Sequence, residues 1–300
     1  MYRTLALSTE LPQASNRASA HTLIDGVLTV IPYGNIDNLA PAGSISSSII
    51  DMSHWVGALL EGGRYAGKEI LPPAVISRTR EPLSIEGRRP STSWGVRRHY
   101  ALYGMGWELS DYDGRELVSH TGGVNGFVTA VTLVPEENLG IIVLTNTDQN
   151  GLYVALMRQI LDAYLGLPYH DYSAGISQNF KRAQSEEAAQ YQAFKDTIAA
   201  NPATALPLKA YAGNYRNDVY GRMTINVTGN YLEAAFEHHP NLRGKLEPLG
   251  GHRFLMSFSD PIFGRKPVAF AGNGKKVVRF TLQLADFVEF TTYDFERVGD

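Results

Sequence analysis

The residues best suited to chemistry lie in one short stretch, Ser119–Phe127, which reads Ser-His-Thr-Gly-Gly-Val-Asn-Gly-Phe. It joins the imidazole of His120 to the hydroxyl of Thr121 and a pair of glycines. Glycine on a strand lets a second backbone approach closely and pair with it, and backbone N–H groups stabilise the oxyanion of an acyl intermediate. These residue types suit one wall of an acyl-transfer site. Taken alone, the same letters favour a polar turn before a hairpin.

Other constellations of reactive residues are weaker. The sequence has no Gly-x-Ser-x-Gly elbow and no His-Glu-x-x-His motif. Ser119 adjoins His120, but neighbours on a strand point to opposite faces, so the two cannot act as nucleophile and base. His238 and His239 with His252 form a conceivable metal set, although the adjacent proline and asparagine favour an exposed turn. We predict no metal site and no cofactor.

The elements that must position this stretch are predicted to be short strands with flanking helices. Alternating and β-branched residues predict strands over Tyr103–Leu109, Glu116–Ser119, Phe127–Val134 and Gly140–Asn146. Helical spacing predicts helices that run from Ser48 to Gly62, from Leu152 to Gly166 and from Ile176 to Ile198. Residues 1–45 contain several turn formers and are predicted to be loop-rich. The pattern predicts an α+β fold, an antiparallel sheet with helices.

Beyond Leu206 the pattern becomes all-β. Short alternating segments flank turns at Gly229-Asn230 and Gly272–Gly274, which predicts hairpins and a small up-and-down barrel. A barrel of this size either holds one apolar ligand or is filled by its own side chains, and filling is the favoured expectation. The aromatic residues that could line or fill it are Phe236, Phe254, Phe258, Phe280 and Phe287.

Three stretches, in order along the chain, carry a family resemblance. They are Ala18–His21 with Pro41–Trp55, the Tyr-Gly-Met-Gly-Trp of Tyr103–Trp107, and His120–Phe127. Together they resemble blocks of the class C β-lactamase-like hydrolases, peptidase family S12, within the serine β-lactamase and penicillin-binding-protein superfamily. The tail 206–300, which opens with Tyr211–Tyr215, resembles the lipocalin-like C-terminal domain of some S12 peptidases. The resemblance implies a partial β-lactamase/transpeptidase-like fold followed by a small lipocalin-like barrel.

The resemblance also implies roles for particular residues. It implies a third motif and oxyanion-hole wall at His120, Thr121, Gly122 and Gly123, and substrate-binding residues at Ala42, Ser44 and Asn125. In the family the N–H of the residue matching Gly123 helps to bind the oxyanion. His120 stands where the lactamases proper have lysine, and Thr121 offers a hydroxyl to a substrate carboxylate or carbonyl. For the loop that contains Ser44, capping of the following helix is an equally good interpretation.

The chain departs from the family pattern at the nucleophile. None of its eight lysines has serine three residues earlier, so Ser-x-x-Lys is absent. Two Tyr-x-Asn strings occur, but the one at Tyr33 is too close to the Pro41 block and the one at Tyr215 falls in the barrel. Ser177-Gln178-Asn179 lies on the predicted connector helix and is no better a candidate. Without a serine there is no covalent step to activate.

Composition sets broad limits. With 44% hydrophobic and 19% charged residues, the 300-residue chain can bury a substantial core. A net charge of −3 without basic runs argues against nucleic-acid binding. There is no cysteine, which excludes disulfides and thiolate metal sites. No apolar run reaches the roughly 20 residues of a membrane span, and no signal segment is evident.

From these observations we predict a partial S12-like catalytic domain at 1–167 that lacks its N-terminal part, a helical connector at 168–205 and a barrel at 206–300. The complete enzyme is expected to hydrolyse an amide or ester through an acyl-serine, in D-amino-acid peptides, β-lactams or small esters, and this chain alone is expected to be inactive. The alternative is a non-enzymatic binding module whose barrel holds a small apolar ligand. We expect a periplasmic or extracellular location, a small-molecule or short-peptide substrate, and homo-oligomers formed through exposed core surface.

Overall fold

The computed structural model describes residues 1–87, 99–274, 276–284 and 291–299. The chain divides into two compact units, Met1–Ala183 and Gln184–Asp300, and the division falls inside a long helix. Within the described ranges, no helix is both long enough and apolar enough to cross a membrane.

The described part of the first unit consists of antiparallel strands and five α-helices, besides short 3-10 helices. The strands are β1 (Ala20–Ile24), β2 (Val27–Ile31), β3 (Arg64–Tyr65), β4 (Lys68–Glu69), β5 (Ser84–Gly87), β6 (Ala101–Tyr103), β7 (Glu108–Tyr112), β8 (Arg115–Val124), β9 (Phe127–Val134) and β10 (Leu139–Thr145). The helices are α1 (Ala40–Gly43), α2 (Ile49–Leu60), α3 (Pro73–Thr79), α4 (Leu152–Leu165) and α5 (Tyr172–Ala199), of which α5 continues into the second unit.

One sheet organises this unit, with the described strands in the order β10-β9-β8-β7-β6-β5. Leu117 packs in a cluster with Leu161 of α4, whereas its neighbour Val118 packs in another cluster with Val56 and Leu59 of α2. Adjacent strand residues point to opposite faces, so α2 and α4 cover opposite faces of the sheet. An antiparallel sheet with helices packed on it is the α+β fold that the sequence predicts.

Helix α2 begins where its sequence predicts. The Ser48 hydroxyl accepts the N–H of Asp51 at 3.3 Å, which caps the first turn. The Asp51 carboxylate, 3% exposed, accepts the Arg3 N–H at 2.7 Å and the Thr4 hydroxyl at 2.8 Å. Burial acts to raise the pKa of Asp51, but these hydrogen bonds outweigh it and the pKa is lowered. The start of the chain is therefore fixed to the first turn of α2.

One prediction about local structure in this unit is wrong. The predicted strand Tyr103–Leu109 is two strands, β6 and β7, joined by a bend at Gly104–Trp107. Gly106 has a φ of +81°, which a continuous strand does not allow. Within residues 1–45, predicted to be loop-rich, β1 and β2 form a hairpin whose turn at Asp25-Gly26 has positive φ at both positions.

A second carboxylate closes the N-terminal segment on itself. Asp37 accepts hydrogen bonds from the N–H and hydroxyl of Ser8, at 2.5 and 2.6 Å, and from those of Thr9, at 3.2 and 2.7 Å. The hydrogen bond from the Ser8 hydroxyl is the largest cause that lowers the pKa of Asp37 to about 2. The ionised carboxylate thus joins two segments that lie 29 residues apart in sequence.

The hydrogen bonds to the Asp37 carboxylate predict that the stability of this unit falls at acidic pH. Because the folded pKa is about 2 and the unfolded one about 4, the stabilisation is complete above pH 4 and disappears as the pH falls towards 2. The difference in free energy of unfolding between the wild type and Asp37→Asn should therefore shrink between pH 4 and pH 2. All three tryptophans lie before residue 108, so tryptophan fluorescence during urea unfolding reports this unit. A difference that stays constant with pH would contradict a stabilising role of the ionised Asp37 carboxylate.

The second unit contains an eight-stranded antiparallel barrel, closed by the pairing of its first and last strands. Its described strands are β11 (Gly213–Asn217), β12 (Gly221–Thr228), β13 (Tyr231–Phe236), β14 (His239–Gly250), β15 (Arg253–Phe258), β16 (Arg265–Gly272), β17 (Val277–Leu282) and β18 (Tyr293–Val298). Each strand pairs with its sequence neighbour, which is the up-and-down order predicted from the turn spacing.

The barrel interior is filled by its own side chains. Phe254 and Phe280 are fully buried and Phe258 is 8% exposed, while Phe236 packs partly buried against them. Phe287 lies outside the described residues. The Phe280 ring stacks on that of Phe295 with centroids 4.9 Å apart. The packed aromatic core agrees with the expectation that side chains fill the barrel, and it does not favour the ligand-holding alternative.

Candidate active site

The stretch His120–Val124 forms an open edge within the sheet. Strand β8 pairs with β9 along Val118–Val124, but its pairing with β7 ends at Ser119, opposite Glu108. Before Glu108 the chain turns away through Gly104–Trp107. His120–Val124 is therefore bonded to a neighbouring strand on one side only, as far as the described residues extend.

The register decides which backbone groups face this open edge. Val124 and Phe127 flank a two-residue turn, so they form a hydrogen-bonded pair, and such pairs alternate along antiparallel strands. The N–H and C=O groups of Gly122 and His120 accordingly point towards β9. Those of Thr121 and Gly123 point away from β9, towards the open edge. Two N–H donors thus line one edge of the strand, two residues apart.

This asymmetry can be tested by removing one N–H at a time. Gly122→Pro should lower the free energy of unfolding by about 1–3 kcal/mol more than Gly123→Pro, because only the Gly122 N–H bonds to β9. Urea unfolding followed by tryptophan fluorescence measures both variants. Equal losses would mean that the register places Gly123 against a partner strand.

The turn that ends the candidate wall is packed against the N-terminal hairpin. Gly126, with φ of +82°, donates its N–H to Asp148 at 3.0 Å, and its carbonyl accepts the His21 N–H at 3.3 Å. Asn125 is exposed, and its side chain lies against Gly34. Asn125 thus lies in the turn of the β8–β9 hairpin, whose first strand carries His120–Gly123.

The loop predicted to bind substrate lies beside the same strand. Helix α1, which contains Ala42, packs against β8, and Ala42 is exposed. Ser44 follows α1 and is only 2% exposed. Its hydroxyl donates to the carbonyl oxygens of Ala6 and Ala40. Ala42 is therefore exposed beside β8, whereas the Ser44 hydroxyl is engaged in holding its own loop.

His120 has partners on both ring nitrogens. Its Nε2 lies 3.0 Å from the Tyr103 hydroxyl oxygen, and its Nδ1 lies 2.5 Å from the Thr121 carbonyl oxygen. The side chain is half-buried, while Thr121 and Gly122 are exposed. Tyr103 lies in one of the blocks that resemble the family, but its sequence context alone indicates no role for it. The two glycines after Tyr103 were the available signal, because they mark the bend that ends β6.

The other residues considered for catalysis or metal binding have different surroundings in the structure. Tyr33 stacks on Phe127 with ring centroids 6.3 Å apart and donates its hydroxyl to the Ala18 carbonyl at 2.9 Å. Tyr215 is fully buried in the barrel core. Ser177 lies within helix α5. His252 contacts the Tyr211 hydroxyl at 2.9 Å, and the described part of the chain contains no cluster of three potential metal ligands.

The comparison with protein families decides the classification. Residues 3–165, more than half of the chain, match the Beta-lactamase family. The chain belongs to the beta-lactamase family. Residues 198–297, which include the described barrel strands up to most of β18, match a domain of unknown function, DUF3471. The predicted resemblance to β-lactamase-like hydrolases is confirmed.

Two curated relatives are hydrolases of fungi. The chain is 27% identical over 252 residues to an unguisins hydrolase of Aspergillus campestris, covering 75% of this chain and 43% of that protein. It is 25% identical over 210 residues to an unguisins hydrolase of Aspergillus violaceofuscus, covering 65% and 36%. The chain thus spans about two fifths of the length of these relatives.

Several solved structures are similar to parts of the chain. A class C beta lactamase from Rhodobacter sphaeroides matches with a TM-score of 0.35 and 19% identity, covering 53% of this chain and 50% of that one. The C-terminal domain of a penicillin binding protein matches with a TM-score of 0.25 and 21% identity, covering 31% and 86%. SurE matches with a TM-score of 0.36 and 14% identity, covering 94% and 56%.

Proposed function

We propose that this chain supplies the oxyanion- and substrate-binding wall of a serine hydrolase that cleaves amide or ester bonds through an acyl-serine. The observation that carries the proposal is the open edge of β8, where the N–H groups of Thr121 and Gly123 face away from β9. The Gly123 N–H can bind the oxygen on which negative charge develops during acyl transfer, and the Thr121 N–H, two residues away along the strand, can bind a second acceptor of the substrate. The same edge can pair with an extended substrate backbone.

The glycines make this edge accessible. Gly122 and Gly123 have no side chain that would hold a substrate away from the backbone, and Gly122 is exposed. Asn125 and Ala42 border the same strand and are exposed, so they are proposed to contact the substrate. Short D-amino-acid peptides, β-lactams and small esters all present a carbonyl oxygen that can accept a hydrogen bond from such a donor.

The chain is proposed to form no acyl-enzyme by itself. Ser-x-x-Lys is absent from its 300 residues, and the two Tyr-x-Asn strings are engaged elsewhere, at Tyr33 in packing and at Tyr215 in the barrel core. Residues of a nucleophilic unit act together, so an intact oxyanion wall without the serine retains only a small part of the rate enhancement.

The first experiment tests for a nucleophile. The full chain is incubated with a fluorescent penicillin and its intact mass is measured, with an active penicillin-binding protein as the positive control. We expect the mass of the chain to be unchanged. A stoichiometric adduct would show that a nucleophile is present and would refute the incomplete site.

The second experiment tests the wall itself. The ¹⁵N-labelled chain is titrated with N-acetyl-D-alanine, which offers a carboxylate and an amide carbonyl. The amide resonances of Thr121 and Gly123 should move most, because their N–H groups face the ligand, while those of His120 and Gly122 remain bonded to β9. Equal shifts at all four amides, or shifts confined to the barrel, would count against the proposed wall.

A further inference from the structure

Tyr103 reaches His120 across the sheet. The two residues are 17 apart in sequence, and strand β7 lies between β6, which carries Tyr103, and β8, which carries His120. Because β7 begins only at Glu108, the Tyr103 side chain meets the imidazole beyond the end of that strand. The rings lie edge to face, with centroids 5.9 Å apart and an interplanar angle of 67°.

The partners of His120 determine which ring nitrogen carries the proton. The Thr121 carbonyl oxygen can only accept a hydrogen bond, and it lies 2.5 Å from Nδ1, so Nδ1 must be the donor. In the neutral imidazole Nε2 is then the acceptor. The Tyr103 hydroxyl, 3.0 Å from Nε2, is therefore the group that donates to it.

The backbone of Tyr103 is held from both sides. It pairs with Ser84 of β5 and with Glu108 of β7, and its carbonyl accepts the Leu83 N–H at 2.8 Å. The next residue, Gly104, is buried, and a Cβ there would lie 2.4 Å from the Thr79 carbonyl oxygen. The close approach that glycine permits fixes the point from which the tyrosine side chain extends.

We propose that Tyr103 is a positioning residue that holds His120 in the Nδ1–H tautomer and directs that N–H to the Thr121 carbonyl. The consequence of this inference is a change in the hydrogen-bonding groups that the open edge presents to a ligand, and it rests on the proposed function. With one lone pair of the Thr121 carbonyl taken by His120, the edge presents the N–H donors of Thr121 and Gly123 beside one carbonyl that His120 does not engage, that of Gly123. Donors therefore outweigh acceptors at the edge, which favours ligands that bring oxygen acceptors, a carbonyl or a carboxylate.

The tautomer can be observed directly, without turnover or ligand. Two-bond ¹⁵N–¹H spectra of the labelled full chain distinguish a protonated ring nitrogen from an unprotonated one, and His120→Gln identifies the resonances of His120. At a pH where the ring is neutral, we expect Nδ1 protonated and Nε2 unprotonated. In Tyr103→Phe the preference for this tautomer should fall about fivefold, the effect of one hydrogen bond of ordinary strength. Tyr100→Phe, an exposed residue on the same segment, should leave it unchanged.

The outcomes separate this inference from the proposed function. A wild-type spectrum with Nε2 protonated would overturn it even if Tyr103→Phe failed to fold, and so would identical His120 spectra in the wild type and a folded Tyr103→Phe. Failure of N-acetyl-D-alanine to bind, with the Nδ1–H tautomer present and dependent on Tyr103, would refute the proposed wall and leave the positioning role standing.

Discussion

Replacing Asp162 with alanine is expected to lower the free energy of unfolding of the first unit by about 4 kcal/mol, because it removes the carboxylate that accepts from two buried hydroxyls. Asp162 is 4% exposed and accepts the hydroxyls of Tyr112 at 2.7 Å and Tyr172 at 2.6 Å. Burial, followed by hydrogen bonding, raises the pKa of Tyr112 and of Tyr172, so both phenols remain donors at neutral pH. Urea unfolding followed by tryptophan fluorescence measures the loss.

A cycle of variants isolates this network. In the background Tyr112→Phe with Tyr172→Phe, the carboxylate has lost both donors, and Asp162→Ala should then lower stability little or raise it. Asp162→Asn keeps one acceptor oxygen and should cost about half as much as alanine. The same loss for Asp162→Ala in both backgrounds would show that packing, and not the pair of hydrogen bonds, accounts for the effect.

Gly126→Ala is the second substitution with a large expected effect, about 3 kcal/mol from an unfavourable φ and steric overlap together. Gly126 has φ of +82°, and a Cβ there would lie 2.5 Å from the Ala20 Cβ and 2.7 Å from the His21 nitrogen. The overlap is mainly with backbone, so the N-terminal hairpin must move away from the β8–β9 turn. We expect the Asn125 and Gly123 amide resonances to shift along with the loss of stability.

Gly114 provides a matched control at the other end of β8. Its φ is +78°, and no atom lies within 4 Å of the point that a Cβ would occupy. Gly114→Ala should cost about 1 kcal/mol, from the backbone conformation alone. Urea unfolding of the two variants under the same conditions gives the difference. If both substitutions cost the same, the contact between Gly126 and the hairpin is not tight.

The elements with strong local signals were predictable from sequence. Ser48 and the apolar spacing of α2 fixed a helix start that the structure confirms, and Gly166 ends α4 with φ of +66°. The barrel hairpins followed from alternating residues around Gly229. The bend at Gly104–Trp107 was missed, since aromatic and apolar residues on both sides favoured a continuous strand. The His-Thr-Gly-Gly stretch lies on β8, which spans Arg115–Val124, but only the N-terminal part of that strand, Glu116–Ser119, was predicted.

The sequence by itself determined the chemistry of the candidate wall: a histidine, a hydroxyl and two glycines on one strand, with no Ser-x-x-Lys in the chain. Only the tertiary structure decided that the strand is open there, because that depends on where β7 begins, opposite Ser119. It also decided the partner of His120, since Tyr103 meets it from two strands away. Local propensity specifies strands and turns, whereas contacts between distant residues arise only when the sheet assembles and side chains compete for position.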